Sequence, residues 1–177
     1  LFRRRKSQSM AGHDITIETS DGNFSGYLAP SSGGRGPGIV VIQEIFGVNA
    51  VMRGICDRLA SQGFTALCPD LFWRIEPNIQ LSDQVPKELE RAFELFGLYD
   101  VDNGIKDVQA TISTLRKESS TNGKVGTVGY CLGGLMAYLS ATRTDSEASV
   151  GYYGVGIEQK LSEATKIKKP LMLHIAE

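Results

Sequence analysis

The fold is decided by Lys124-Val125-Gly126-Thr127-Val128-Gly129-Tyr130-Cys131-Leu132-Gly133-Gly134. An apolar run ends in Gly-Tyr-Cys-Leu-Gly, and helix formers follow from Leu135 to Ala141. Strand, sharp turn and helix in that order is the setting of a nucleophile elbow, here with cysteine in the place usually taken by serine. The spacing has a steric reason. The turn is crowded, and Cβ atoms at the flanking positions would strike the helix or the strand, so Gly129 and Gly133 remove them. A helix starting beside Cys131 offers unpaired N–H groups and a positive dipole end, which favour a thiolate and can hold an oxyanion. The plain alternative is a buried structural cysteine in a tight strand-to-helix turn.

Working outward, residues 38–43 (GIVVIQ) form a nearly continuous apolar run, as expected of a strand covered on both faces in a parallel sheet. Residues 64–68 form a second such run, and 148–153 and 170–175 two more. Helices are predicted over 50–62, with Gly63 as the stop, over 86–99, over 102–117 and over 158–165. In the third of these, Ile105, Val108, Ile112 and Leu115 share one face. Residues 14–19 and 24–29 alternate around a Ser-Asp-Gly-Asn turn and read as a hairpin. Alternating strands and helices predict a mostly parallel sheet behind that hairpin. Residues 70–85 are a long irregular loop.

Composition narrows the functions. The chain has 177 residues, 41% hydrophobic and 22% charged, with a net charge of −1. This is ordinary for one soluble α/β domain and gives no electrostatic case for nucleic acid or an anionic membrane. The three cysteines, Cys56, Cys68 and Cys131, are odd in number and lack C-x-x-C spacing, so neither a disulfide framework nor a zinc site is expected. No motif calls for a nucleotide, and no cofactor or metal is expected. A reducing, cytoplasmic setting and a monomer are the expectations. Residues 1–9 (LFRRRKSQS) read as a basic leader or upstream sequence, with organellar targeting as the alternative, ahead of one domain over 10–177.

Five blocks then stand in order: Gln43-Glu44-Ile45-Phe46-Gly47-Val48-Asn49, Cys68-Pro69-Asp70-Leu71, Gly123-Lys124-Val125-Gly126, Gly129 to Gly134, and Gly151-Tyr152-Tyr153-Gly154-Val155-Gly156. Together they resemble the dienelactone hydrolase (carboxymethylenebutenolidase) family, from about residue 10 to 177. The resemblance implies an α/β-hydrolase fold and opening of a small lactone or ester by an acyl-cysteine route. Cys131 is then the nucleophile and Glu44 the group that takes its proton when substrate arrives. The amides of Ile45 and Leu132 are the oxyanion donors.

Two departures from the family pattern follow. Its triad acid lies in a His-x-Gly-x-x-Asp pattern, of which His174-Ile175-Ala176-Glu177 reaches only the fourth position. The aspartate would fall two residues further on and the histidine later, so the domain is expected to be incomplete at its C-terminus. His174 precedes the expected acid and is not read as the base. The family's carboxylate-binding arginine aligns with Leu89, with Arg91 and Arg74 nearby, and two aromatic contacts align with Phe93 and Phe96. These motivate two alternatives: a broader carboxylesterase or thioesterase, and a non-catalytic relative that binds a ligand or partner.

Overall fold

A computed structural model describes residues 12–176; the basic segment over 1–9 lies outside them. The N-terminal hairpin pairs β1 (His13–Thr19) with β2 (Gly22–Ala29) antiparallel. The chain then runs through β3 (Gly36–Ile42), α1 (Ala50–Ser61), β4 (Thr65–Pro69), α2 (Pro86–Leu98), α3 (Val101–Lys117) and β5 (Thr121–Tyr130). It ends with α4 (Leu132–Arg143), β6 (Ser149–Tyr152), a 3-10 helix (Ile157–Lys166) and β7 (Leu171–His174). The sheet order is β1-β2-β4-β3-β5-β6-β7, and every pair from β4 to β7 is parallel. The order reverses at β3. Its following unit, α1 and β4, goes to one side, while β5 returns on the other, which opens a crevice beyond the ends of β3 and β5.

Two apolar layers hold this sheet. Val40, Ile42 and Leu67 face the layer of α3 and α4, together with Leu115, Val125, Met136 and Leu139. Val41, Ala66 and Cys68 face α1, against Met52, Cys56 and Ala60. Alternation along β3 therefore buries both of its faces, as its unbroken apolar run requires. The α3 face of Ile105, Val108, Ile112 and Leu115 is buried as its spacing predicts. Every residue of α4 from Leu132 to Ser140 is buried, which suits a helix apolar all round. Asn49 caps α1 by accepting the Met52 N–H at 3.2 Å, and Asp100 caps α3 by accepting the Asn103 N–H at 2.9 Å.

Local differences from the sequence expectations have physical causes. The segment expected to be helical over 158–165 is a 3-10 helix with no buried residue, so no apolar face holds it in the wider α form. In α2 the buried residues are Ala92 and Leu95, while Phe93 and Phe96 are 59% and 37% exposed. The irregular loop over 70–85 is pinned by side chains. Asp70 accepts the Phe72 and Asn78 N–H groups, and Gln43 accepts the Leu71 N–H. Burial nonetheless pushes the Asp70 carboxyl up against these bonds.

Candidate active site

Three strand ends build the site. In the ladder, Ile42 of β3 pairs with Gly129 of β5, and Gly129 with Gly151 of β6. Two residues beyond that rung stand Glu44, Cys131 and Tyr153. Register thus brings all three to the carboxyl ends of adjacent strands, which run about 4.8 Å apart.

Cys131 sits at φ 55°, ψ −114°, a conformation that costs a non-glycine residue about 1–3 kcal/mol. Its surroundings impose it. The Cys131 N–H donates to the Tyr152 carbonyl at 3.0 Å, while its own carbonyl accepts the Gly134 and Leu135 N–H groups at 2.9 and 3.3 Å. The glycines make room. A Cβ at Gly129 would lie 1.8 Å from the Gly133 oxygen, and one at Gly133 would lie 2.3 Å from the Ile42 oxygen. The start of α4 is therefore pressed backbone to backbone against the ends of β3 and β5.

The half-buried Cys131 thiol is pushed up, first by burial and also by the Glu44 charge, while the Leu132 N–H hydrogen-bonds the sulfur and opposes both. The helix terminus by itself would favour a thiolate, but burial and the neighbouring carboxylate outweigh it. Glu44 is half-buried, and its Oε1 accepts the Tyr153 hydroxyl at 3.1 Å. Ile45, next in the chain, is buried.

Beside Glu44 lies a cavity of about 480 Å³ lined by Phe46, Asn49, Gln80, Leu81 and Glu88 among others. Gly47 pairs with Gln80 at φ 76°, where a Cβ would meet the Ile79 carbonyl oxygen at 2.0 Å. The other sequence candidates lie on α2 and β7. Arg91 is ion-paired to Glu76 and to Glu94, and Phe93 stands on the exposed side of α2. The imidazole of His174 stacks on Tyr152 at 4.3 Å. Among the described residues, no group of three His, Cys, Asp or Glu side chains is placed to hold a metal, and no helix is long and apolar enough to cross a membrane.

Tyr153 is the site residue that sequence reading did not single out. Its signal was its place at the end of a strand, just before Gly154, in the same relation to β6 as Cys131 to β5.

A mostly parallel sheet that reverses at β3, with a strained cysteine on the turn from β5 into α4, defines an α/β hydrolase. A model of the dienelactone hydrolase family matches residues 24–177. The chain belongs to that family. Carboxymethylenebutenolidase 1 of Cupriavidus pinatubonensis is 42% identical over 164 residues, spanning 93% of this chain and 70% of that protein. The carboxymethylenebutenolidase of Pseudomonas putida is 41% identical over 167 residues, spanning 94% and 71%. A solved dienelactone hydrolase-like promiscuous phosphotriesterase from metagenomic libraries superposes with a TM-score of 0.71 at 26% identity, covering 93% of this chain and 69% of that one. The dienelactone hydrolase of Anabaena variabilis shares the fold, with a TM-score of 0.68 at 19% identity, covering 92% and 71%.

Proposed function

We propose that the chain carries the acyl-transfer site of a hydrolase that opens small lactones or carboxylic esters through Cys131. The observation that supports this most is the shared rung: a cysteine held at a left-handed elbow with a carboxylate two residues past the paired strand. In the proposed step the sulfur attacks the carbonyl carbon as the thiol proton passes to Glu44. The carbonyl electron pair moves onto oxygen, which the Ile45 and Leu132 amides hold. Collapse expels the alkoxide, which takes the proton from Glu44 and leaves a thioester on Cys131. In a lactone that alcohol stays tethered to the acyl group. Water then releases the acid, with the histidine and aspartate of the family pattern as its activating pair.

Holding the thiol neutral until substrate arrives suits this route, because the proton then leaves only as the new bond forms. The same proposal includes a monomer and a reducing compartment, the latter supported by the three free cysteines. A second reading, a broader carboxylesterase or thioesterase, is favoured by one residue: Leu89, half-buried on α2, offers no charge for a substrate carboxylate.

The test is single-turnover acylation by p-nitrophenyl acetate, followed as nitrophenolate release and as acetyl mass on tryptic peptides. The expected result is one acetyl on the Cys131 peptide, lost in Cys131→Ala and kept in Cys56→Ala and Cys68→Ala. Undiminished release from Cys131→Ala would overturn the covalent route.

A further inference from the structure

Tyr153 has features that packing does not explain. Its backbone is left-handed, at φ 40°, which costs an aromatic residue about 1–3 kcal/mol. Its side chain is 44% exposed, so burial returns little of that cost. The surrounding backbone enforces the conformation. The Tyr153 N–H donates to the His174 carbonyl at 2.8 Å. Gly154 is wedged against the start of α4, where a Cβ would lie 2.8 Å from the Gly134 carbonyl carbon and 2.9 Å from the Leu135 nitrogen. The ring leans on Tyr130 and Tyr152, at centroid separations of 6.2 and 6.5 Å. The outcome of this bracing is one polar contact, the hydroxyl donated to Glu44 Oε1 at 3.1 Å. Glu44 follows β3 and Tyr153 follows β6, so the bond spans the strand between them, the one that ends in Cys131.

We propose that Tyr153 is a positioning residue that orients Glu44 by one carboxylate oxygen and leaves the other free to take the Cys131 proton. This rests on the reading of Glu44 as the base. The phenol fixes the direction of the carboxylate by holding its Oε1. The phenol itself keeps its proton throughout. Burial, the Glu44 charge and the hydrogen bond to Glu44 push its pKa up to about 12. The transfer moves one proton, from the Cys131 sulfur to Glu44.

The experiment measures acylation by p-nitrophenyl acetate against pH in four proteins: the parent chain, Tyr153→Phe, Glu44→Gln and the double variant. Tyr153→Phe keeps the ring and its packing. It is expected to slow acylation about tenfold at neutral pH. On the Glu44→Gln background the same change is expected to alter the rate less than twofold. An equal loss in both backgrounds would overturn the inference. A parent-like rate in Glu44→Gln would instead remove the base assignment, and this inference with it. A readout apart from chemistry is the alkaline titration of tyrosinate absorbance, taken as the difference from a matched protein carrying Tyr153→Phe: the Tyr153 phenol, ionising near 12, should titrate lower in Glu44→Gln, and an unchanged difference curve also counts against the contact.

Discussion

Two carboxylates in this molecule are treated in opposite ways. Asp107, on α3, is fully buried and saturated. Its Oδ2 accepts the Trp73 indole N–H at 2.9 Å and the Arg74 Nε–H at 3.0 Å, and its Oδ1 accepts Arg74 Nη2 at 2.8 Å. Arg74 lies over the Trp73 ring and reaches on to Asp21, so loop, helix and hairpin are tied by one fork. Glu44 is half-buried, takes one bond from a neutral phenol, and none of the ion pairs among the described residues involves it. The difference teaches what each site can do. A guanidinium and an indole that occupy both oxygens leave Asp107 no open side from which to take a proton. A phenol orients the charge and still lets it accept a proton.

The largest expected effects come from breaking one carboxylate at a time. Glu44→Gln should lower acylation by about 10²–10⁴, the range for loss of a general base, with the urea unfolding midpoint unchanged. Asp107→Ala leaves Arg74 without its buried partner and should remove about 3–5 kcal/mol of stability in urea unfolding. Acylation measured on the fraction still folded should stay near the parent rate. If Glu44→Gln destabilised the chain as much as Asp107→Ala does, the division between holding and reacting would collapse.

The next effect sharpens the comparison from the side of the sulfur. Burial and then the Glu44 charge raise the Cys131 thiol, while the Leu132 N–H lowers it. Alkylation by iodoacetamide should therefore be slow at neutral pH and rise only above the ordinary thiol range, about 8.5. Glu44→Gln removes one of the two raising influences, so the thiol pKa falls and alkylation between pH 7 and 8 should speed up several-fold. Slower alkylation in that variant would mean that Glu44 supports the resting thiolate, the opposite of the arrangement argued above.

The sequence carries this fold wherever a pattern is local. The run Val40-Val41-Ile42 announces a doubly covered strand, and Gly129 and Gly133 announce a turn without room for side chains. Glu44 and Cys131 were legible as neighbours because both follow buried parallel strands of one sheet. What escaped depends on contacts far apart in the chain. The Tyr153–Glu44 bond joins residues 109 positions apart, and the Asp107 fork joins α3 to a loop 33 positions away. Neither has a periodic signature.

Glu163 provides the smallest effect and the finest test of the contrast, because it is held by a cation at the protein's rim. Arg143 of α4 donates from Nε to its Oε2 at 2.9 Å and from Nη2 to its Oε1, and Thr142 adds its hydroxyl at 3.1 Å. The fork fastens the 3-10 helix, which buries none of its own residues, onto α4. Arg143 holds the Glu163 carboxyl down at about 2, from an ordinary 4.5. The sign follows from linkage: a depressed carboxyl pKa contributes stability above about 4.5, and that contribution is lost as pH falls from there toward 2. Glu163→Gln should then cost about 1 kcal/mol at pH 7, since the pair is partly exposed. The gap between variant and parent in thermal unfolding should close on acidification to pH 2. Acylation of Cys131 should not change. If cation pairing marks a holding carboxylate, Glu163 behaves as a weaker Asp107. A loss of acylation in Glu163→Gln would mean that the 3-10 helix helps set the geometry of the neighbouring Tyr153 turn, and that holding and reacting are coupled through it.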